Sequence, residues 1–142
     1  MNVLIIEDDP TIVEILEMLF DLKTTGAIIT SVTEGKKGVG LTRINVPDII
    51  ILDLGLPDID GFEVLHQIRN FSNVPIIILT AWHGEKYKGK ALESGADDFV
   101  TKPFYPYDLL ARVEAILCHS HAAKEPEAID DLPRAELQLV SS

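Results

Sequence analysis

The chain has 142 residues, 46% of them hydrophobic, and a formal net charge of −11, which is enough length and apolar content for one domain with a substantial core. The acidity and the lack of a Lys/Arg cluster argue against direct binding to a phosphate backbone, and the single cysteine, Cys118, excludes an internal disulfide and fits a reducing compartment. No secretory leader or membrane-length apolar run is visible, so a cytoplasmic protein that does not enter a membrane is expected.

A short aliphatic run at residues 2–6 reads as the first strand and ends in Glu7-Asp8-Asp9. Pro10 suits the first turn of a helix with Asp9 as its N-cap. Ile12, Ile15, Leu16, Leu19 and Phe20 recur at helical spacing over residues 10–22. A second strand is expected at residues 27–30 and a second helix at 34–45. Gly35, Gly38 and Gly40 weaken that helix, since each interior glycine costs about 1 kcal/mol against alanine, and Pro47 stops it.

Residues 49–53 carry four aliphatic side chains straight into Asp53. A continuous apolar run bounded by turn residues suits a strand buried on both faces of a parallel sheet. Pro57, Asp58 and Gly61 break the pattern, and Asp60-x-x-Glu63 opens a third helix as a capping-box variant, with Phe62, Leu65 and Ile68 on its buried side. Residues 76–79 form the fourth strand, ending at Thr80. The fourth helix spans about 85–94 with Gly95 as its C-terminal cap. Phe99 and Val100 belong to a short fifth strand before Lys102-Pro103. Pro106 starts a fifth helix with Leu109, Leu110, Val113, Ile116 and Leu117, in which Cys118 reads as a packing residue. Five strands alternating with five helices predict an α/β fold, a parallel sheet with helices on both faces. Beyond residue 121 the pattern fails. Residues 122–142 read as an acidic linker or tail, in which 135–140 suggest the first strand of a further element.

In a parallel sheet the strand ends share one edge, where ligand crevices lie. The first strand brings Glu7 and Asp8 there, the third Asp53, the fourth Thr80 and the fifth Lys102. Crowded carboxylates repel one another, and a hard divalent cation such as Mg²⁺ relieves that repulsion. A lysine and a threonine hydroxyl across the site suit anionic oxygens. The array fits phosphoryl transfer, with an aspartate able to act as nucleophile and form an acyl phosphate.

The segments VLIIEDDP, IIILDLGLPDIDG, PIIILTA and GADDFVTKPF, in this order between residues 2 and about 119, resemble the receiver domain of two-component response regulators. The resemblance implies a flavodoxin-like five-stranded sheet of order 2-1-3-4-5 over residues 1–121. It implies Asp53 as phosphoacceptor and Mg²⁺ held by Asp8, Asp53 and the backbone carbonyl of Gly55, with Glu7 in an outer position acting through water. Lys102 would contact the phosphoryl group, before a cis bond to Pro103. Thr80 would be the switch hydroxyl, Ala81 the small residue that lets its loop approach, and Phe99 the switch aromatic. Gly55 and Trp82 occupy positions that tune the lifetime of the phosphorylated state, and a bulky Trp82 suggests slow autodephosphorylation.

The same resemblance points to the subfamily with winged-helix DNA-binding domains. There activated receivers dimerise through the fourth helix, fifth strand and fifth helix, here carrying Lys88, Asp97, Asp98, Asp108 and Arg112. Lys88 with Asp108, and Asp98 with Arg112, match cross-dimer ion pairs. The implied partners are a sensor histidine kinase and a second copy on activation, with DNA bound only through an output domain absent from this chain. The implied chemistry is self-phosphorylation and its reversal, not turnover of a substrate. Two other readings compete. A haloacid-dehalogenase-like phosphatase also uses an aspartate nucleophile, but needs an acid two residues on, where this chain has Gly55. A flavin module needs a phosphate cradle after the first strand, where Glu7-Asp8-Asp9 repels phosphate. Asp58-x-Asp60-Gly61 lacks the grammar of a calcium loop.

Overall fold

Alternation along the strands decides how the domain is layered, because successive side chains of a strand face opposite sides of a sheet. The computed structural model describes residues 1–23 and 26–124. Its strands are β1 (Asn2–Ile6), β2 (Ile28–Val32), β3 (Ile49–Leu52), β4 (Ile76–Thr80) and β5 (Asp98–Thr101), and its helices are α1 (Pro10–Lys23), α2 (Gly35–Ile44), α3 (Gly61–Arg69), α4 (Glu85–Glu93) and α5 (Pro106–Lys124). The sheet order is β2-β1-β3-β4-β5 and every pairing is parallel, which is the flavodoxin-like arrangement. Leu4, Ile6, Ile50, Leu52, Ile76 and Ile78 pack with Val39 of α2, Val64, Leu65 and Ile68 of α3, and Ala91 of α4. Their alternates Val3, Ile5, Ile49, Ile51, Ile77 and Leu79 pack with Leu16, Leu19 and Phe20 of α1 and Leu109, Leu110 and Val113 of α5. Both faces are covered, which is why β3 and β4 read as unbroken aliphatic runs.

Several expectations shift on contact with the structure. β2 lies at Ile28–Val32 rather than 27–30, because its register pairs Ile6 of β1 with Val32 and carries the edge strand to the height of the site. The glycines of α2 are seats for close packing. A Cβ on Gly38 would come within 2.4 Å of Ile6 Cδ1, and one on Gly35 within 2.5 Å of Val64 Cγ2, so what α2 loses in propensity it recovers by lying tight against β1 and α3. Phe62 is only partly buried, and Val64 takes the inner position with Leu65 and Ile68. Cys118 is exposed, not packed. α5 runs on to Lys124, past residue 121 where the tail was expected to begin. The suggested strand at 135–140 lies outside the described residues. No helix among the described residues is long and apolar enough to cross a membrane.

Candidate functional site

The backbone ladder holds the strand-end residues in register. The Glu7 amide donates to Val32 O at 3.0 Å, the Asp53 amide to Ile6 O at 3.0 Å, and the Lys102 amide to Thr80 O at 2.8 Å. Asp9 caps α1, accepting from the Thr11 amide at 2.9 Å, so the chain turns sharply after Glu7-Asp8. The α3 N-terminus closes against β3. The Gly61 amide donates to Leu54 O at 2.8 Å, and a Cβ on Gly61 would sit 2.4 Å from the Asp53 carbonyl oxygen and 2.6 Å from Leu54 Cα. These are backbone atoms that cannot rotate away. Gly61 thus sets the position of Asp53, a role that its reading as a turn residue did not convey.

Glu7, Asp53 and Thr80 are 2%, 7% and 0% exposed, whereas Asp8 faces solvent. Lys102 Nζ forms ion pairs with Glu7 Oε1 and, at 3.4 Å, with Asp53 Oδ2. The Gly55 amide donates to Asp53 Oδ1 at 3.3 Å and the Asp9 amide to Glu7 Oε2 at 3.2 Å. Burial pushes the Glu7 carboxyl up to about 7, and the nearby Asp53 carboxylate adds to the rise while Lys102 opposes it. Burial also works against ionised Asp53. There the hydrogen bond from Glu7, the charge of Lys102, the Thr80 hydroxyl and the Gly55 amide prevail and hold its carboxyl below the usual range. Burial alone would lower Lys102, but the two carboxylates raise it. Asp53 thus has a lysine, a hydroxyl and a backbone amide turned toward it.

One carboxylate oxygen each from Glu7, Asp8 and Asp53 lies within 4.8 Å of the others. An all-oxygen donor set with one solvent-facing member fits a hard divalent cation that retains water, Mg²⁺ above all. The Glu7 carboxylate also contacts Lys102 directly.

Ala81, Trp82 and Pro103 follow directly on the strand ends, whereas Asp97 and Asp98 stand at the opposite, amino end of β5. Ala81 is exposed beside Thr80. The Trp82 amide donates to Thr80 Oγ1 at 3.3 Å, and its indole Nε1 lies 3.4 Å from where a Gly55 Cβ would be. Phe99 is buried in the α2–α3–α4 core, and the Lys102–Pro103 bond is cis. On the α4–β5–α5 face, Arg112 Nη1 binds Asp98 at 2.9 Å and Arg112 Nε binds Asp108 at 3.2 Å, both within the chain. Asp97 accepts from the Ile76 amide at 2.8 Å and from Arg69 Nη2 at 3.2 Å. Lys88 is exposed on α4. Two residues gain roles that sequence reasoning missed. Asp58, from the loop tested for calcium, accepts from the Gly35 and Lys36 amides at 2.8 and 2.9 Å. It caps α2, whose own N-cap Glu34 makes no side-chain bond. Arg69 joins the end of α3 to Gly95 O and Ser72 O, both at 3.0 Å, and to Asp97.

A family model, the response regulator receiver domain, matches residues 3–114. The chain is 40% identical over 122 residues to probable transcriptional regulator ycf27 of Guillardia theta, covering 86% of this chain and 47% of that protein. It is 40% identical over 121 residues to cell cycle response regulator CtrA of Brucella ovis, covering 84% and 51%. The chain thus spans about half the length of these curated relatives. Among solved structures, the receiver domain of the Francisella response regulator 1452 matches with a TM-score of 0.77 at 32% identity, over 84% of this chain and 98% of that one. With strand order, acidic edge and sequence in agreement, the chain belongs to the response regulator receiver domain family.

Proposed function

We propose that this receiver takes a phosphoryl group on Asp53 from a phosphohistidine of a sensor kinase in the cytoplasm. The observation that carries the reading is the asymmetry of the site. Of the two buried carboxyls, Asp53 lies at the end of β3 with Lys102 Nζ at 3.4 Å from Oδ2 and the Gly55 amide at 3.3 Å from Oδ1, while Glu7 sits behind it against Lys102. An Asp53 oxygen attacks phosphorus, a new O–P bond forms, and the N–P bond breaks with its electron pair returning to the imidazole. Lys102 neutralises one phosphoryl oxygen and Thr80 donates its hydroxyl to another. Glu7, Asp8, Asp53 and the Gly55 carbonyl would hold Mg²⁺, which when bound offsets the charge of the transferring group. Water later attacks the acyl phosphate and restores the carboxylate. Trp82 over Gly55 covers the approach to that bond, so autodephosphorylation is slow; a half-life of seconds, unaltered by Trp82→Ala, would contradict this.

Phosphorylation draws Thr80 inward, Phe99 follows, and the α4–β5–α5 face changes its population of states. Lys88, Asp97, Asp98, Asp108 and Arg112 then contribute to a homodimer, with Arg112 exchanging some of its internal partners for those of the second copy. DNA is regulated through an output domain beyond the receiver, for which residues 122–142 supply the linker or tail, in line with relatives about twice this length. Intact mass after incubation with acetyl phosphate and Mg²⁺ tests the chemistry. One phosphoryl group should be gained, and lost in Asp53→Asn. Sedimentation of Arg112→Glu under the same conditions should show a weakened dimer, and an unchanged one would remove this face from the account.

A further inference from the structure

The β3–α3 loop leaves the acidic edge at Asp53, crosses to the first turn of α2 and returns to α3 at Gly61. Leu54 is fully buried, and the Gly61 amide donates to its carbonyl at 2.8 Å. On the far side, Asp58 accepts from the Gly35 amide at 2.8 Å and from the Lys36 amide at 2.9 Å. Leu56 and Ile59 flank that contact, for a Cβ on Gly35 would lie 3.3 Å from Leu56 Cδ1 and 2.8 Å from Ile59 Cγ1. α2 is itself tied to β1 where Gly38 meets Ile6, the residue before Glu7-Asp8. Gly55 stands between the two fixed points. It has no side chain to hold its peptide, and among the described residues no backbone amide donates to its carbonyl oxygen. Pro57 restricts its own φ and the backbone of Leu56. The stretch from Leu56 to Asp58 therefore moves as a stiff unit and carries the Gly55–Leu56 peptide with it.

We propose that Asp58 is a positioning residue for the metal site: seated on the N-terminus of α2, it holds the loop so that the Gly55 carbonyl is directed at a divalent cation on Asp8 and Asp53. The proposal rests on the reading of Gly55 as a ligand. Both Asp58 oxygens are engaged by amides, so Asp58 acts through the loop and not on the cation. With the loop seated, the carbonyl is already in place when the cation arrives. Without it, the peptide is free to rotate, and binding has to order it. Residues that orient a metal ligand in this way govern affinity by about tenfold or more. The coupling is reciprocal. A cation on the Gly55 carbonyl favours the same loop position, and so strengthens the hold of Asp58 on the Gly35 and Lys36 amides.

The test is a titration of the full chain with MgCl₂, without a phosphodonor. Backbone amide signals near Asp8 and Asp53 in NMR spectra give the affinity, and hydrogen exchange of the Gly35 and Lys36 amides gives the state of the loop. Wild type should bind Mg²⁺, and saturation should slow exchange of those two amides by about tenfold. Asp58→Ala should weaken Mg²⁺ binding by about the same factor. Because it also uncaps α2, it is combined with Gly40→Ala, which restores helix propensity where no heavy atom lies within 4 Å of the added Cβ. With the urea midpoint recovered in this double variant, Mg²⁺ binding should stay weak. Wild-type affinity there, or no slowing of the two amides in wild type, would reduce Asp58 to a helix cap and overturn the proposal. Asp58→Asn removes the same charge but keeps one acceptor oxygen, and should recover part of the affinity. Equal weakening in Asp58→Asn and Asp58→Ala would trace the loss to the missing charge and overturn the proposal likewise. Failure of wild type to bind Mg²⁺ at all would overturn the metal site itself, and this role of Asp58 with it.

Discussion

Glu7→Gln should stabilise the metal-free protein, and by an amount that depends on pH. Glu7 is 2% exposed and shares its space with Asp53. Its carboxyl titrates near 7 when folded against an ordinary 4.5, so the folded state holds a proton that the unfolded chain has released. A group raised in this way contributes its full stability below about 4.5 and loses it as pH rises through about 7. The gap sets a ceiling of about 3 kcal/mol on the cost of charging Glu7, and water reaching the site beside Asp8 brings the expected value to about 1–3 kcal/mol. Asp53 contributes with the opposite sign. Its carboxyl is lowered, so its stability is present above the ordinary 3.8 and is lost only as pH falls below that range, outside the window of Glu7. Urea unfolding followed by circular dichroism, with EDTA present, measures the difference directly. The advantage of Glu7→Gln should be small near pH 5 and grow to the full amount by about pH 8. A difference that stays constant across this range, or a variant less stable at high pH, would refute the electrostatic account of the site.

Three further outcomes follow from the packing. Asp58→Ala removes the cap on α2 and should cost about 0.5–2 kcal/mol. Because its carboxyl is held near 2 by the Lys36 and Gly35 amides against burial, the wild-type cap should survive at pH 4 and fail only as pH falls through about 2, which urea midpoints at several pH values would show. Gly38→Ala drives a methyl into Ile6 and should destabilise by about 1–3 kcal/mol; pairing it with Ile6→Val should recover part of that loss, and strict additivity would contradict the contact. Arg69→Ala frees Gly95 O and Asp97 and should cost about 1–3 kcal/mol, with faster amide exchange at Asp97 and Ile76 but not in α1.

The sheet was legible because apolar runs and turn residues come in a regular order, and parallel strands place all their ends on one edge. That rule gathers Glu7, Asp8, Asp53, Thr80 and Lys102 before any coordinates are seen. Their division of labour was not legible. That Glu7 is buried against Lys102 while Asp8 faces solvent depends on side-chain depth, which periodicity does not report. Propensity misjudged α2, since the value of Gly35 and Gly38 lies in Val64 and Ile6, distant in sequence. Asp58 looked like a failed calcium ligand because its true partners, the Gly35 and Lys36 amides, stand more than twenty residues earlier. Phe62 was placed inward by helical spacing, yet it faces the rim with Trp82, where no spacing rule applies.

The central claim is that Asp53 alone carries the phosphoryl group. Borohydride reduces an aspartyl phosphate to homoserine, so treating the protein after acetyl phosphate and Mg²⁺, followed by peptide mapping, locates the bond. Homoserine at position 53, dependent on Mg²⁺ and absent when EDTA is added, is the predicted result. Homoserine at position 8, or none anywhere despite a gain in mass, would contradict the account.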